Sequence, residues 1–260
     1  MTLLFLILGL ATLLFVAIPP LKTVISSGPE VLGETLLDPE VYNSVLLTIC
    51  GALVASLVGL VLGVPAAYLL ARHQFRGKRA IEGIIDVPIV IPHSAAGVAL
   101  LFAFGRQSFA GQMFESVGIH FFGTFAGIVL AMMFVSIPFL LDSCKEGFET
   151  VDVRLERVAR TLGASPWQTF THVSLPLARR SILAGFVMMW ARGMSEFGAV
   201  VIIAYHVPFF GNMPTVLPIL VSDRFAYGME YARPVAAIGI FVALVCFAAL
   251  RTFAGREERE

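Results

Sequence analysis

The residues most able to do chemistry are charged groups set in apolar surroundings. Arg192 and Glu196 stand i and i+4 in the run SILAGFVMMWARGMSEFGAVVIIAY, so on a helix both project from one face. A charge near the bilayer centre costs at least about 2.5–3.5 kcal/mol, and the two are therefore expected to pair or to line a wet interior. Paired, they hold helices together; facing water, Arg192 offers an anion a group to meet on its way across. His93, Ser94 and Ser136 are the other polar residues expected at depth as candidates for such a path. A lone buried histidine is more often a helix contact than a ligand or proton relay, and His93 is read that way. Asp86 and Asp142 fall near the ends of their apolar runs, where water reaches them. No set of side chains has metal-ligand spacing, and Cys50, Cys144 and Cys246 read as small apolar fillers.

The elements that carry these groups follow from composition. The 260 residues are 58% hydrophobic and only 14% charged, against roughly 25% charged in a soluble domain, and the mean hydropathy is +0.87. So much apolar surface has no place in water. Apolar runs at about 2–20, 44–71, 84–105, 121–143, 181–204 and 233–252 predict six membrane helices in an all-α polytopic protein. Residues 2–18 lack a preceding basic residue and a following cleavage site, so they are expected to stay as a span rather than leave as a signal peptide. Pro65, Pro88, Pro92 and Pro138 lie in or beside the runs, each a tolerated kink or a break that lines a pathway.

Basic residues alternate from loop to loop. Arg72, Arg76, Lys78, Arg79, Lys145, Arg154, Arg157, Arg160, Arg179, Arg180, Arg251, Arg256 and Arg259 fall on one side, against Lys22, Arg106, Arg224 and Arg233 on the other. The positive-inside rule then puts both termini in the cytoplasm. With 18 basic and 18 acidic residues, nothing points to a nucleic-acid partner.

The basic interval 144–180 is too long for a plain connector. Leu155, Val158, Ala159 and Leu162 recur at helical spacing, with Arg154, Glu156, Arg157 and Arg160 on the opposite face, predicting an amphipathic helix. Gly163 is placed to end it in the left-handed conformation. Ser165, Pro166 and Gln168 then match an N-cap, a first-turn proline and a capping-box partner, so a second short helix begins at once. This sharp elbow carries Trp167 and Phe170, aromatic surface that suits a protein partner or the lipid headgroups. Pro176, ahead of Arg179 and Arg180, is expected to start the next span.

The segment ERVARTLGASPWQTFTHVSLP, Glu156 to Pro176, resembles the cytoplasmic EAA loop of ABC importer permeases. Ala159, Gly163, Val173, Leu175 and Pro176 keep its spacing. Arg157 and Val158 stand where the family usually has Glu and Ala, and Glu156 is displaced by one residue, roughly 100° around a helix. The resemblance implies a type I ABC importer permease fold, with the elbow as a coupling helix seated in a groove of a separate ATPase. Thr161, Leu162, Gly163, Ala164, Ser165, Pro166 and Trp167 would make that contact. No GxxxxGK[ST] loop occurs, since Gly77-Lys78 lacks its other members, so ATP and magnesium are expected on a partner chain and no cofactor on this one. The resemblance covers about residues 44–250, a core of five spans, preceded by an added span with its outer loop in 1–43 and followed by a cytoplasmic tail, 251–260.

Met194–Tyr205, MSEFGAVVIIAY, and Pro218–Gly228, PILVSDRFAYG, are further similar to the molybdate and tungstate permeases, a group that also contains sulfate permeases. This implies an oxyanion importer in a prokaryotic plasma membrane, working as a homodimer with two ATPase subunits and an extracytoplasmic binding protein. Importing two negative charges against 100 mV costs about 4.6 kcal/mol, which suits an ATP-driven route. A sulfate or other anion permease is the nearest alternative. A proton-coupled carrier using Glu196 and His93, or an intramembrane enzyme joining Asp86, His93 and Glu196, would need those groups to act together.

Overall fold

The computed structural model describes residues 2–256; Arg259 and the end of the expected tail lie outside them. The described residues form helices α1 (Thr2–Ile25), α2 (Pro29–Leu37), α3 (Pro39–Arg72), α4 (Lys78–Val90), α5 (His93–Phe104), α6 (Phe109–Glu115), α7 (Phe125–Thr150), α8 (Val153–Thr161), α9 (Pro166–Thr169), α10 (Leu175–Met194), α11 (Gly198–Ile203), α12 (Leu217–Tyr227) and α13 (Met229–Arg256). A π-helical turn, Phe170–Ser174, joins α9 to α10, and no strand occurs among the described residues.

Four of these helices are long and apolar enough to cross a membrane, namely α1, α3, α7 and α13, and a fifth crossing arises if α4 and α5 are taken together. The expectation of six uninterrupted spans is corrected in two places. The run 84–105 is not one helix but two, α4 and α5, bent by 118°. Pro92 causes the bend, because its ring drives the preceding residue out of the helical region, and Ile91 is extended at φ −71°, ψ 145°. Pro65, Pro88 and Pro138 stay inside helices. The run 181–204 is likewise divided, since α10 ends at Met194 and α11 begins at Gly198. Arg179, Arg180 and Arg192 make α10 less apolar than the other long helices.

α3, α7 and α10 form the centre of the bundle. Ser143 and Gly147 of α7 face Ser181 and Gly185 of α10, both pairs at i and i+4, and the Ser143 hydroxyl donates to the Ser181 carbonyl over 2.7 Å. A Cβ on Gly147 would stand 2.3 Å from that of Ser181, and one on Gly185 would stand 2.9 Å from that of Ser143. Helices in lipid gain little from hiding apolar surface from one another, so small residues that let backbones approach are what hold the contact. Leu140, Phe148, Ile182 and Met189 fill the layer around it. Gly147→Val is expected to part α7 from α10 and to cost about 1–3 kcal/mol or more through overpacking. An unchanged thermal unfolding midpoint in detergent would refute that role.

At the periphery, α1 buries none of its residues. At one end of the bundle Arg224 of α12 pairs with Asp38 and Glu40 at the start of α3, at 3.1 and 2.5 Å. Beside them Tyr205 donates to Asp223 over 2.6 Å. That hydrogen bond to a carboxylate pushes the Tyr205 pKa up to about 12, so the phenol stays a neutral donor at ordinary pH. The far end of α3 reaches the elbow.

Candidate coupling elbow and intramembrane charge cluster

Local signals alone build the elbow. Asp152 caps α8 by accepting the Arg154 N–H at 2.8 Å. The helix ends in a Schellman motif, with Gly163 N–H donating to Arg160 and Ala164 N–H to Ala159, at 3.1 and 3.0 Å. Gly163 has φ +93° with open space where a Cβ would stand, so its role is backbone conformation rather than packing. Ser165 then opens α9 with both halves of a capping box, each partner accepting from the other's backbone, at 3.2 Å for Gln168 N–H and 2.8 Å for Ser165 N–H. Helical backbone runs on from α9 through the π turn into α10, and Pro176 lies in the first turn of α10, in keeping with its expected place at the start of the next span. The wider π turn just before it makes room for a proline that has no N–H and would crowd an ordinary helical carbonyl.

The orientation of α8 is the reverse of what its apolar stripe suggests. Leu155, Val158 and Leu162 are exposed, Leu162 at 83%, while Glu156 is 5% exposed. The Glu156 carboxylate accepts from Arg72 Nε at 2.8 Å, from Ser174 Oγ at 2.7 Å and from the Tyr68 hydroxyl at 3.3 Å. Arg72 also donates to the Val151 carbonyl at 3.1 Å, and Tyr68 packs edge-on against Phe148 and Phe170. Glu156 is thus an inward anchor that ties the elbow to the end of α3, not part of the outer surface. Arg157, Thr161, Leu162, Gly163, Ser165, Pro166 and Trp167 all face outward, Ala159 and Ala164 are half-buried, and Val173 and Leu175 turn partly into the bundle beside exposed Pro176. Trp167, 70% exposed, stacks loosely on Phe170 at 5.6 Å. The outward tip is therefore apolar and rimmed by arginines.

The second constellation lies where two helices are broken. Arg192 Nη2 donates to Glu196 Oε2 at 3.0 Å, the pairing expected from their spacing. His93, at the start of α5 just past the Pro92 bend, joins them: its Nδ1 stands 2.8 Å from the same oxygen and its Nε2 stands 3.0 Å from Arg192 Nη2. An ionised carboxylate only accepts, so Nδ1 donates to it, while Arg192 Nη2 lies 2.8 Å from Nδ1 and 3.0 Å from Nε2, so the guanidinium and the imidazole crowd the same carboxylate oxygen. Glu196 is 1% exposed, and its other oxygen accepts the Ala199 N–H at 2.8 Å, capping α11. The carboxylate thus satisfies the broken end of one helix and clasps the bend of another. Arg192 Nη1 reaches Ser195 at 3.2 Å. Ser94 is exposed beside this cluster in sequence, whereas Ser136 is fully buried and bonded to the Met132 carbonyl of its own helix. Asp86 lies on α4 and takes no part in the cluster's hydrogen bonds.

Residues 59–254 match the family described as binding-protein-dependent transport system inner membrane component. The chain belongs to this family. Among its relatives is the molybdate/tungstate transport system permease protein of Thermococcus kodakarensis, 39% identical over 257 residues, covering 98% of this chain and 96% of the relative. A probable sulfate transport system permease protein of Chlorokybus atmophyticus is 34% identical, covering 84% of this chain and 76% of the relative. The crystal structure of a bacterial alginate ABC transporter in complex with an alginate pentasaccharide-bound periplasmic protein contains a chain that superposes at TM-score 0.72. That match has 17% identity and covers 99% of this chain and 94% of that one. The fold is that of a type I ABC importer permease, and the protein is a multi-pass membrane transport subunit rather than an enzyme.

Sequence reasoning about this permease missed Tyr68, Arg72 and Ser174 around Glu156. A signal for Arg72 was present, because it is a basic residue at the end of a span, but the pairing spans 84 residues of sequence. By sequence, His93 reads as a separate helix contact, and only the proton-coupled and enzyme alternatives set it with Glu196, which it meets at 2.8 Å. At the elbow, Gly163→Val forces a β-branched side chain into a left-handed position. The expected result is uptake reduced at least about tenfold while ATP hydrolysis and the folded membrane domain persist, in keeping with a strain of about 1–2 kcal/mol confined to the elbow. Reconstituted complexes with unchanged ATP consumed per solute moved would refute it.

Proposed function

We propose that this permease imports molybdate or tungstate, moving the anion from an extracytoplasmic binding protein to the cytoplasm. The observation that carries the reading is the 39% identity, over nearly its whole length, to a relative named for molybdate/tungstate transport. The sulfate-named relative is less similar, and sulfate is the second reading.

The permease pairs with a second copy, with the path at their two-fold axis, and two ABC ATPase subunits that hold ATP and magnesium dock on the elbows. Several features support this arrangement. The exposed tip around Leu162 and Trp167 has no cover among the described residues, and the Arg72–Glu156 anchor ties it to α3. ATP-driven approach of the two ATPases draws the elbows together and opens the path outward; hydrolysis and release return it inward. Counting the bent α4–α5 pair and the divided α10–α11 pair as one crossing each gives six spans, with the arginine-rich ends and both termini in the cytoplasm of a prokaryotic cell. Arg192 and His93 stand beside the path at the helix breaks, and Glu196 keeps that region nearly neutral so that the anion is held only briefly.

Uptake of labelled tungstate into vesicles holding this chain, its ATPase and its binding protein tests the reading. ATP-dependent uptake blocked by molybdate and barely by sulfate is expected. Stronger block by sulfate would move the cargo, and uptake indifferent to ATP would reject the reading altogether.

A further inference from the structure

The loop between α11 and α12 carries a strained turn. Val207 N–H donates to the Pro214 carbonyl at 3.1 Å, and Phe209 and Asn212 exchange both backbone hydrogen bonds, at 2.9 and 3.0 Å. The two residues between them, Phe210 at φ +45° and Gly211 at φ +80°, both lie in the left-handed region, the mark of a type I′ hairpin turn. Such a turn favours Asn-Gly, and the glycine stands where it should. The phenylalanine does not: in this conformation an L-residue brings its Cβ against the following carbonyl, and a bulky residue seldom adopts it. Among the described residues Phe210 is the only one other than glycine with a positive φ.

Packing among the described residues does not reward this strain. The base of the hairpin is fixed, with Val207, Thr215 and Val216 buried and Phe209 stacked on Phe125 at 6.0 Å. The tip is free: Phe210 is 79% and Met213 59% exposed, and a Cβ on Gly211 would meet open space. The Phe210 ring meets the Phe209 ring edge-on at 4.6 Å, a contact that an unstrained turn could also offer. Backbone strain that local packing does not require is found where a side chain must be held ready for a partner. The surface it fits is apolar, since residues 207–215, VPFFGNMPT, hold no charge.

The place of the hairpin names the partner. Phe125 opens α7, and the other end of that helix leads into the elbow, so the hairpin stands at the end of the bundle away from the elbow. The family to which the chain belongs is binding-protein-dependent, and a delivering protein meets the permease at that end. A fluid bilayer takes up an apolar side chain in any conformation, whereas a shaped protein surface gains from one that is fixed beforehand. Given the reading of this chain as an importer fed by such a protein, we propose that Phe210 is a docking residue for the extracytoplasmic binding protein. The strained turn presents its ring to an apolar pocket on that protein. The hairpin follows α11 directly, and Glu196 caps the start of that helix, so docking bears on the break beside Arg192.

The test uses the full chain in complex with its ATPase in lipid nanodiscs, and reads the stimulation of ATP hydrolysis by added binding protein. Phe210→Asn gives the turn its preferred residue, so the thermal unfolding midpoint should rise by about 2 °C. In the same variant the half-saturating concentration of binding protein should rise at least about tenfold. Phe210→Tyr keeps the ring and should stay within about twofold of the wild type. A photo-crosslinking benzoylphenylalanine at position 210 should form an adduct with the binding protein, and only when that protein is present. Unchanged half-saturation in Phe210→Asn, with the wild-type complex stimulated, would overturn the docking role alone. A wild-type complex indifferent to the binding protein would overturn the importer reading along with it. An adduct between two permease chains, or with lipid only, would assign the tip to a second copy or to the bilayer and reject the proposal.

Discussion

Glu156→Ala is expected to destabilise the permease by about 3–5 kcal/mol, because it removes one partner of a buried ion pair and leaves the other charge enclosed. Arg72, with only 8% of its side chain exposed, would keep its bond to the Val151 carbonyl but lose its counter-charge. Ser174 and Tyr68 would lose their shared acceptor in the same step. Glu156→Gln should cost less, since an amide oxygen still accepts from Ser174 and Arg72. The double change Arg72→Met with Glu156→Leu should recover most of the stability, since apolar groups of similar size replace a buried pair at little cost. Transport separates stability from coupling. If the pair carries motion from the elbow to α3, the stable double variant still hydrolyses ATP and moves little solute. Full uptake by that variant would reduce the pair to a fold element.

That anchor also explains which parts of the elbow were legible. Gly163, Ser165 and Gln168 were readable because caps and chain reversals are set by bonds between residues three to five apart. The face that α8 shows to the bundle was not, because the apolar stripe Leu155, Val158 and Leu162 suggested burial and the acid beside it suggested water. The structure reverses the two through partners on α3 and the π turn, far away in sequence. The same holds for the spans. Hydropathy located the apolar runs, but hydropathy alone does not distinguish a straight crossing over 84–105 from two helices bent by 118°. Pro92 supplied the only hint, and Pro65, Pro88 and Pro138 gave the same hint without a break.

The charge cluster yields the second large effect, since Arg192→Ala alone should be worse than Arg192→Ala combined with Glu196→Gln. The single change leaves a 1% exposed carboxylate with only the His93 ring and a backbone N–H as partners, and losses of about 3–5 kcal/mol follow from stranding a buried charge. Glutamine is the second substitution because its amide oxygen still caps α11 at Ala199 while the charge is gone; alanine would open that helix end as well and blur the comparison. Equal unfolding midpoints for the single and double variants would show that Glu196 does not depend on Arg192 for its counter-charge and refute the pairing. Uptake then decides what the pair is for. A purely structural pair predicts that tungstate transport returns along with stability in the double variant. An anion that touches the guanidinium as it passes predicts a stable double variant whose transport stays depressed at least about fivefold, the size expected for losing a weak charged contact of about 1 kcal/mol. Arg192→Lys should then restore part of the rate, because the charge returns without the planar fork whose Nη2 meets Glu196 and His93 while its Nη1 reaches Ser195.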